Sequence, residues 1–440
     1  MSSGEAVNEE ISGARSREQG GGGPQSGPTP RRVRALFLND TSRNGGPGRT
    51  LFYILKFLDT TRIHRTVIVP RAGVVSDLLT NGKVVDELHF LPNLVENVVE
   101  PWNRPIERDD FAAPLPVRAL RAVGNVARGT SAVFELLSLV RRSGAEVVFC
   151  NGTTANFAGG AIARLTDVPV VWHAFYPEVA KPIEALHARL AASENVRAIL
   201  CVSKPIAKQF EHCREKVRVV HDAIDTDEYA PETAGRLLRK ELGYDEQTVV
   251  FGAHGRILPR KGFLEMVRAA RIAVDRLPGD VRARTRFVVL GDTPSDMRPD
   301  HLEECRAEVT KLGLEDCFSF IGYRPDVKAF VNDFSVEVVP SIYEDPLPRA
   351  VIEAMSFAKP VIAFDVGGIP EMIDDGQNGF LVRGHPPDID GLAAAYVKYA
   401  CDPDLRRRHG EAARKRAVEH FDSRAHAKRM QDELLRVVRR

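Results

Sequence analysis

No stretch of this 440-residue chain stays apolar for the roughly 18 to 20 residues that a membrane span requires. The N-terminus carries no apolar signal core either, so export is not expected. Net charge is nearly absent: 61 Lys plus Arg stand against 60 Asp plus Glu, which removes the basic field that nucleic-acid binding needs. Cysteine is scarce, with six residues (150, 201, 213, 305, 317 and 401) and no pair at metal-ligand spacing. Cys150 and Cys201 fall in apolar runs, where a buried reduced thiol is the ordinary reading, and a reducing cytoplasm is the expected compartment. No internal repeat is present. The dinucleotide fingerprint is missing as well: after Gly46 and Gly48 the next position of the pattern is Leu51, which argues against a nicotinamide dehydrogenase.

What remains is a soluble balance of 43% hydrophobic and 28% charged residues, long enough for two or three domains. Residues 1–31, with GGGGPQSGPTP, cannot bury enough apolar surface to order themselves and are expected to be disordered. Apolar runs then recur as VRALFLND, TVIVP, EVVFC, PVVWHA and AILCVS, separated by helical stretches, and a second series runs from TVVFGAHGR through RFVVLGD, FSFIGY, VEVVP and PVIAFD to FLV. Strands alternating with helices imply α/β architecture with parallel sheets. The polar VVHDAIDTDEYAPETAG between the series predicts an interdomain crossing. The expected division is a first domain over 32–222, a second over 223–418 and a terminal helix over 419–440.

The densest chemistry lies in PSIYEDPLPRAVIEAMSFAKPVIAFDVGGIPE, residues 340–371. A buried strand ends at Pro340, an acidic loop follows, and Pro348 opens a helical segment. Unpaired N–H groups at a helix start suit a phosphate. Asp345 and Glu353, eight positions apart, supply acceptors for sugar hydroxyls, and Glu344 fits the first role as well as Asp345 does. Pro348 has no N–H, so backbone contacts are expected from Leu347, Arg349 and Ala350. Upstream, GRILPRKG sets Arg256 and Lys261 five residues apart in a loop after a strand, where open α/β sheets bind ligands. Two cations there favour a departing diphosphate over the intact donor, because charge builds on it as the bond breaks. Arg260 beside them is read as solvated. In the first domain Gly45, Gly46 and Gly48 let backbone approach a ligand closely.

These motifs resemble those of the retaining family-four glycosyltransferases, which have the two-domain GT-B fold of two Rossmann-like domains facing a cleft. Glu353-Ala354-Met355 matches the family's second acid, Pro346-Leu347-Pro348 stands where the family has Pro-Phe-Gly, and Gly255-Arg256 and Lys261-Gly262 match its cation pair. Gly367-Gly368 and Glu371 match its GG-x-PE text. The last helix is similar to one that crosses back onto the first domain. Of the family's Asn-Gly-x-Asp at the crossing, His221-Asp222-Ala223-Ile224-Asp225 keeps only the final acid.

The resemblance implies transfer of a sugar from a nucleoside diphosphate sugar to a hydroxyl acceptor, a glycan or lipid-linked saccharide of envelope or polysaccharide biosynthesis. It implies that Glu353 holds the nucleotide ribose and Asp345 or Glu344 the donor sugar. Arg256 and Lys261 take the diphosphate, the Gly45–Gly46 loop and His173 close over the sugar, and Gly368 and Glu371 shape the pocket. His173 ends the strand PVVWH, so its ring is expected to reach the cleft. No cofactor is implied, and no metal: Asp225-Thr226-Asp227 has the form of a metal motif but lies at the crossing. A GT-B epimerase or phosphorolytic enzyme, and a non-catalytic sugar-nucleotide sensor, are the alternatives. The basic stretch with Arg118, Arg121, Arg128, Arg141 and Arg142 against one Glu admits peripheral contact with the cytoplasmic membrane face. Donor and acceptor identity are expected to rest on loops between 90 and 130 and around 293 to 301.

Overall fold

The apolar runs become strands, and those in the middle of each sheet are buried on both faces, as parallel sheets covered by helices require. The computed structural model describes residues 31–43, 45–96, 115–176, 179, 181–293 and 301–439. The tail expected to be disordered lies outside the described residues, apart from Arg31, and so do residues 97–114 and 294–300.

The first sheet contains β1 (Val33–Asn39), β2 (Ile63–Val69), β3 (Glu87–Phe90), β4 (Val147–Asn151), β5 (Val170–Ala174), β6 (Val196–Cys201) and β7 (Val217–Val219), in the order β3-β2-β1-β4-β5-β6-β7. The second contains β8 (Val249–His254), β9 (Thr285–Leu290), β10 (Phe318–Phe320), β11 (Val336–Val339), β12 (Val361–Phe364) and β13 (Gly379–Val382), in the order β10-β9-β8-β11-β12-β13. Among the described residues, every pairing between these strands is parallel. Strand order reverses between β1 and β4 in one sheet and between β8 and β11 in the other. Such switch points open a crevice at the carboxyl ends of the strands, and both candidate ligand loops leave from there.

The C-terminal helix Ser423–Val438 belongs to the first sheet's core. Met430, Leu434, Leu435 and Val437 are buried with Leu51, Ile54 and Leu55 of helix Gly46–Phe57. Asp422 caps it by accepting from the Arg424 N–H, and its backbone bridges to Ile224 of the crossing segment. The acids of Asp225-Thr226-Asp227 are engaged by cations: Asp225 meets Lys56 at 2.8 Å and Arg424 at 3.4 Å, and Asp227 meets Arg424 at 2.8 Å. The crossing is thereby tied to the first helix and the last.

Candidate functional site

The loop after β8 is held by a glycine. Gly262 sits at φ 73°, and a Cβ there would lie 1.8 Å from the Pro340 carbonyl oxygen, so only glycine lets the Pro259–Lys261 turn rest on the end of β11. That close approach carries Lys261 to Asp345, with Nζ 2.6 Å from Oδ2. Ser341 donates its hydroxyl to the same oxygen at 3.1 Å. Asp345 is buried and Lys261 about one-quarter exposed, so the cation keeps a face toward solvent. Arg256 is exposed, and its guanidinium makes no hydrogen bond or ion pair among the described residues. Arg260 is not simply solvated as expected: it stacks on Tyr343 with its guanidinium 4.6 Å from the ring centre.

Arg256 and Glu353 line one cavity of about 400 Å³, together with Arg49, His254, Asp292 and Tyr323. Helix Arg349–Ser356 delivers Glu353. It starts after Pro348, whose φ of −67° and ψ of 120° turn the chain into the first helical residue. The N–H groups of Arg349 and Ala350 in the first turn therefore have no helical partner. Leu347 is packed in the core, so its side chain anchors the loop.

Glu353 is buried and accepts from His254 Nε2 at 3.0 Å, while His254 Nδ1 donates to Glu337 at 2.9 Å. Burial alone would push the His254 imidazolium down, but the Glu337 and Glu353 carboxylates outweigh it and raise it to about 10. Burial likewise opposes ionisation of Glu353, yet the His254 hydrogen bond and the Arg349 charge bring it below the usual range.

From the opposite lobe, Gly45 caps helix Gly46–Phe57 in extended conformation, and a Cβ on Gly46 would lie 3.8 Å from the Arg349 side chain. The glycine loop thus faces the start of the acid helix. Arg349 is buried where the lobes meet, donates to the Ala223 carbonyl at 3.2 Å, and lies 3.5 Å from both Asp222 and Glu353. Its side chain is a junction between lobes, beyond the backbone role expected of it.

Two further expectations are corrected, and one open choice is narrowed. His173 does not reach open space: it is fully buried, its ring packed against Phe149 and Phe175, because strand alternation turns it under the glycine loop. Its Nδ1 donates to Asn151 at 3.1 Å, and Asn151 in turn donates to the Pro47 carbonyl at 2.9 Å. Burial, with His426 second, holds this imidazole neutral. Glu371 does not line the cavity. It accepts from the Lys204 N–H at 2.7 Å and pairs with His221 at 2.9 Å, tying the second lobe to a helix start of the first. Glu344 is more than half exposed and accepts from the Gly367 N–H at 3.0 Å, so Asp345 is the acid beside the cation. Gly368 donates its N–H to the Asp345 carbonyl at 2.9 Å.

Two family models match the chain in succession: Glycosyltransferase Family 4 over residues 44–228 and Glycosyl transferases group 1 over residues 236–416. The alpha-maltose-1-phosphate synthase of Mycobacterium tuberculosis is 31% identical over 307 residues, 63% of this chain and 76% of that relative. The chain belongs to the group 1, family 4 glycosyltransferases. The D-inositol 3-phosphate glycosyltransferase of Streptomyces avermitilis is 32% identical over 63% of this chain and 57% of its own length. The chain spans about half the length of the first curated relatives it matches, between 46% and 60%. A crystal structure of Anabaena HepE in complex with UDP superposes with a TM-score of 0.72 at 20% identity, covering 92% of this chain and 100% of that one. That likeness speaks for the GT-B fold.

Within this family frame, sequence reasoning missed Arg49, His254 and Glu337. An acid inside the apolar run FSVEVVPS and a histidine directly before Gly255-Arg256 were the available signals. Arg49 had none, because its contribution depends on the two lobes meeting.

Proposed function

We propose that this protein is a retaining, metal-independent glycosyltransferase that moves a sugar from a nucleoside diphosphate sugar to a hydroxyl acceptor. One observation carries the reading: Arg256 and Glu353 share a cavity at the carboxyl ends of β8 and β11, and the Lys261–Asp345 pair stands at those same strand ends. Glu353, with one carboxylate oxygen held by His254, offers the other to the ribose. Arg256 and Lys261 take the diphosphate, aided by the first-turn N–H groups of Arg349 and Ala350. As the glycosidic bond breaks, negative charge grows on the leaving phosphate, and preorganised cations stabilise it more than they stabilise the bound donor. The acceptor hydroxyl attacks from the face that the leaving group vacates and passes its proton to the departing phosphate oxygen. Asp345 both anchors Lys261 and stands next to the donor sugar. His173 enters as a positioning group that holds Asn151, and through it the glycine loop. The lobe borders at 222/223 and 418/419 are part of the proposal.

The deciding experiment is acceptor-dependent release of nucleoside diphosphate. It follows a thermal-shift panel of UDP-, GDP- and ADP-sugars, in which a binder at 100 times its Kd stabilises by about 2.7 kcal/mol. A panel with no binder removes the reading.

Cytoplasmic residence with peripheral membrane contact is also proposed. Among the described residues, no helix is long and apolar enough to cross a membrane. Helix Leu115–Ser143 exposes Leu120, Val123, Val126 and Phe134 alongside Arg121 and Arg128, a mixture that suits an anionic lipid surface. Sedimentation with phosphatidylglycerol vesicles checks it, and binding unaffected by Leu120→Asp removes it.

A further inference from the structure

Glu337 lies where a parallel sheet has least room for a charge. It is fully buried in central strand β11, between Val361 of β12 and Gly252 of β8. An apolar residue of similar size at such a site would cost less, because ion pairing in the interior seldom recovers the desolvation of a carboxylate. The side chain has a specific use for one oxygen only. Oε1 accepts from His254 Nδ1 at 2.9 Å, and Oε2 makes no hydrogen bond among the described residues. His254 then spends its second ring nitrogen on Glu353 Oε2 at 3.0 Å, and both His254 and Glu353 line the cavity.

We infer that Glu337 and His254 are positioning residues for the nucleotide site: Glu337 holds the His254 ring, and the ring fixes the Glu353 carboxylate so that Oε1 is presented to a ligand hydroxyl. The inference rests on the proposed reading of Glu353 as a nucleotide-binding acid. The other groups facing this relay are Arg349, whose Nε lies 3.5 Å from Glu353 Oε1, and the cavity residues Arg49, Arg256, Asp292 and Arg324. Burial opposes ionisation of both His254 and Glu337, and Glu337 is the leading cause that raises His254, ahead of Glu353; with a carboxylate oxygen at each ring nitrogen, the geometry favours the doubly protonated ring. A doubly protonated ring donates to both carboxylates at once. A neutral one has a single N–H to share.

The test is nucleotide binding by the full chain, with UDP, GDP and ADP as probes, measured by calorimetry at pH 6.5, 7.5 and 8.5. The wild-type Kd should not change with pH by more than twofold. Glu337→Gln keeps the shape and removes the charge; its Kd should be at least fivefold weaker than wild type at pH 8.5 and closer to wild type at pH 6.5, because His254 then holds its second proton less tightly. His254→Gln should weaken binding at least fivefold at every pH, without a slope. Melting temperatures monitor folding, and a purely structural Glu337 would lower them without creating a pH slope. Should Glu337→Gln fail to fold, the His254→Gln result decides alone. Variants that bind like wild type at every pH overturn the relay and leave the donor site standing. A wild-type protein that binds none of the three probes overturns both.

Discussion

Replacing Lys261 by alanine separates catalytic from structural use of the same ion pair. A hydrogen bond to a charged group contributes about 1.5–3 kcal/mol, which is roughly 10- to 150-fold in affinity. The Lys261 ammonium has three N–H groups, and Asp345 takes one at 2.6 Å, leaving two for phosphate oxygens. Its side chain is 23% exposed, so solvent screening trims the effect, and the lower half of the range applies. Lys261→Ala should therefore weaken nucleoside diphosphate binding by about tenfold. Turnover should fall by about tenfold or more, because the charge on the leaving phosphate is greatest in the transition state. The same change strands the buried Asp345 carboxylate with only the Ser341 and Tyr343 hydroxyls, costing about 1–3 kcal/mol of stability. In a lobe of this size that is a few degrees in Tm. Adding Asp345→Asn to Lys261→Ala should restore most of the lost Tm without restoring affinity. Titration calorimetry and scanning calorimetry read the two effects separately. If Lys261→Ala lowers Tm while affinity stays within twofold of wild type, the lysine is structural and the diphosphate assignment is wrong.

Other sites give independent checks. Gly367 has φ 56°, and a Cβ there would lie 2.1 Å from the Asp345 carbonyl oxygen, so Gly367→Ala must displace the acid loop. A loss of about 1–3 kcal/mol in urea unfolding is expected together with weaker nucleotide binding, and an unchanged midpoint would contradict the close approach. Leu434 is fully buried between the terminal helix and the first sheet, so Leu434→Ala should cost about 2–5 kcal/mol. A negligible Tm change there would mean that the helix does not dock in solution. Burial pushes the Asp40 carboxyl up to about 7, against backbone N–H groups that favour its charged form. A raised carboxyl contributes stability that is present below about pH 4 and lost as pH rises toward 7. Asp40→Asn should therefore flatten the decline in Tm across that window, and parallel wild-type and variant curves would defeat the argument.

The apolar runs made most of the fold legible, since a segment buried on both faces of a parallel sheet has to be apolar throughout. The exceptions are instructive. Edge strands β3 and β7, ELHF and VRV, escaped notice because solvent-facing polar residues mix their pattern or the run is too short, whereas edge strands β10 and β13 keep apolar residues and were legible. The candidate site was legible where chemistry follows the chain locally: a helix start after Pro348, cations after β8 and glycines after β1. It was misread for His173 and Glu371, whose surroundings are set by strand alternation and by the other lobe.

By itself, then, the amino-acid order determined which segments become strands, where helices begin, and which acids and cations stand close along the chain. Only the tertiary structure decided who meets whom. Lys261 finds Asp345 across 84 positions, His254 finds Glu353 across 99, and Glu337 finds His254 across 83. The reason is physical. Local backbone preference acts over a few residues, whereas the partner of a buried charge is chosen by which strand ends the sheet order brings side by side.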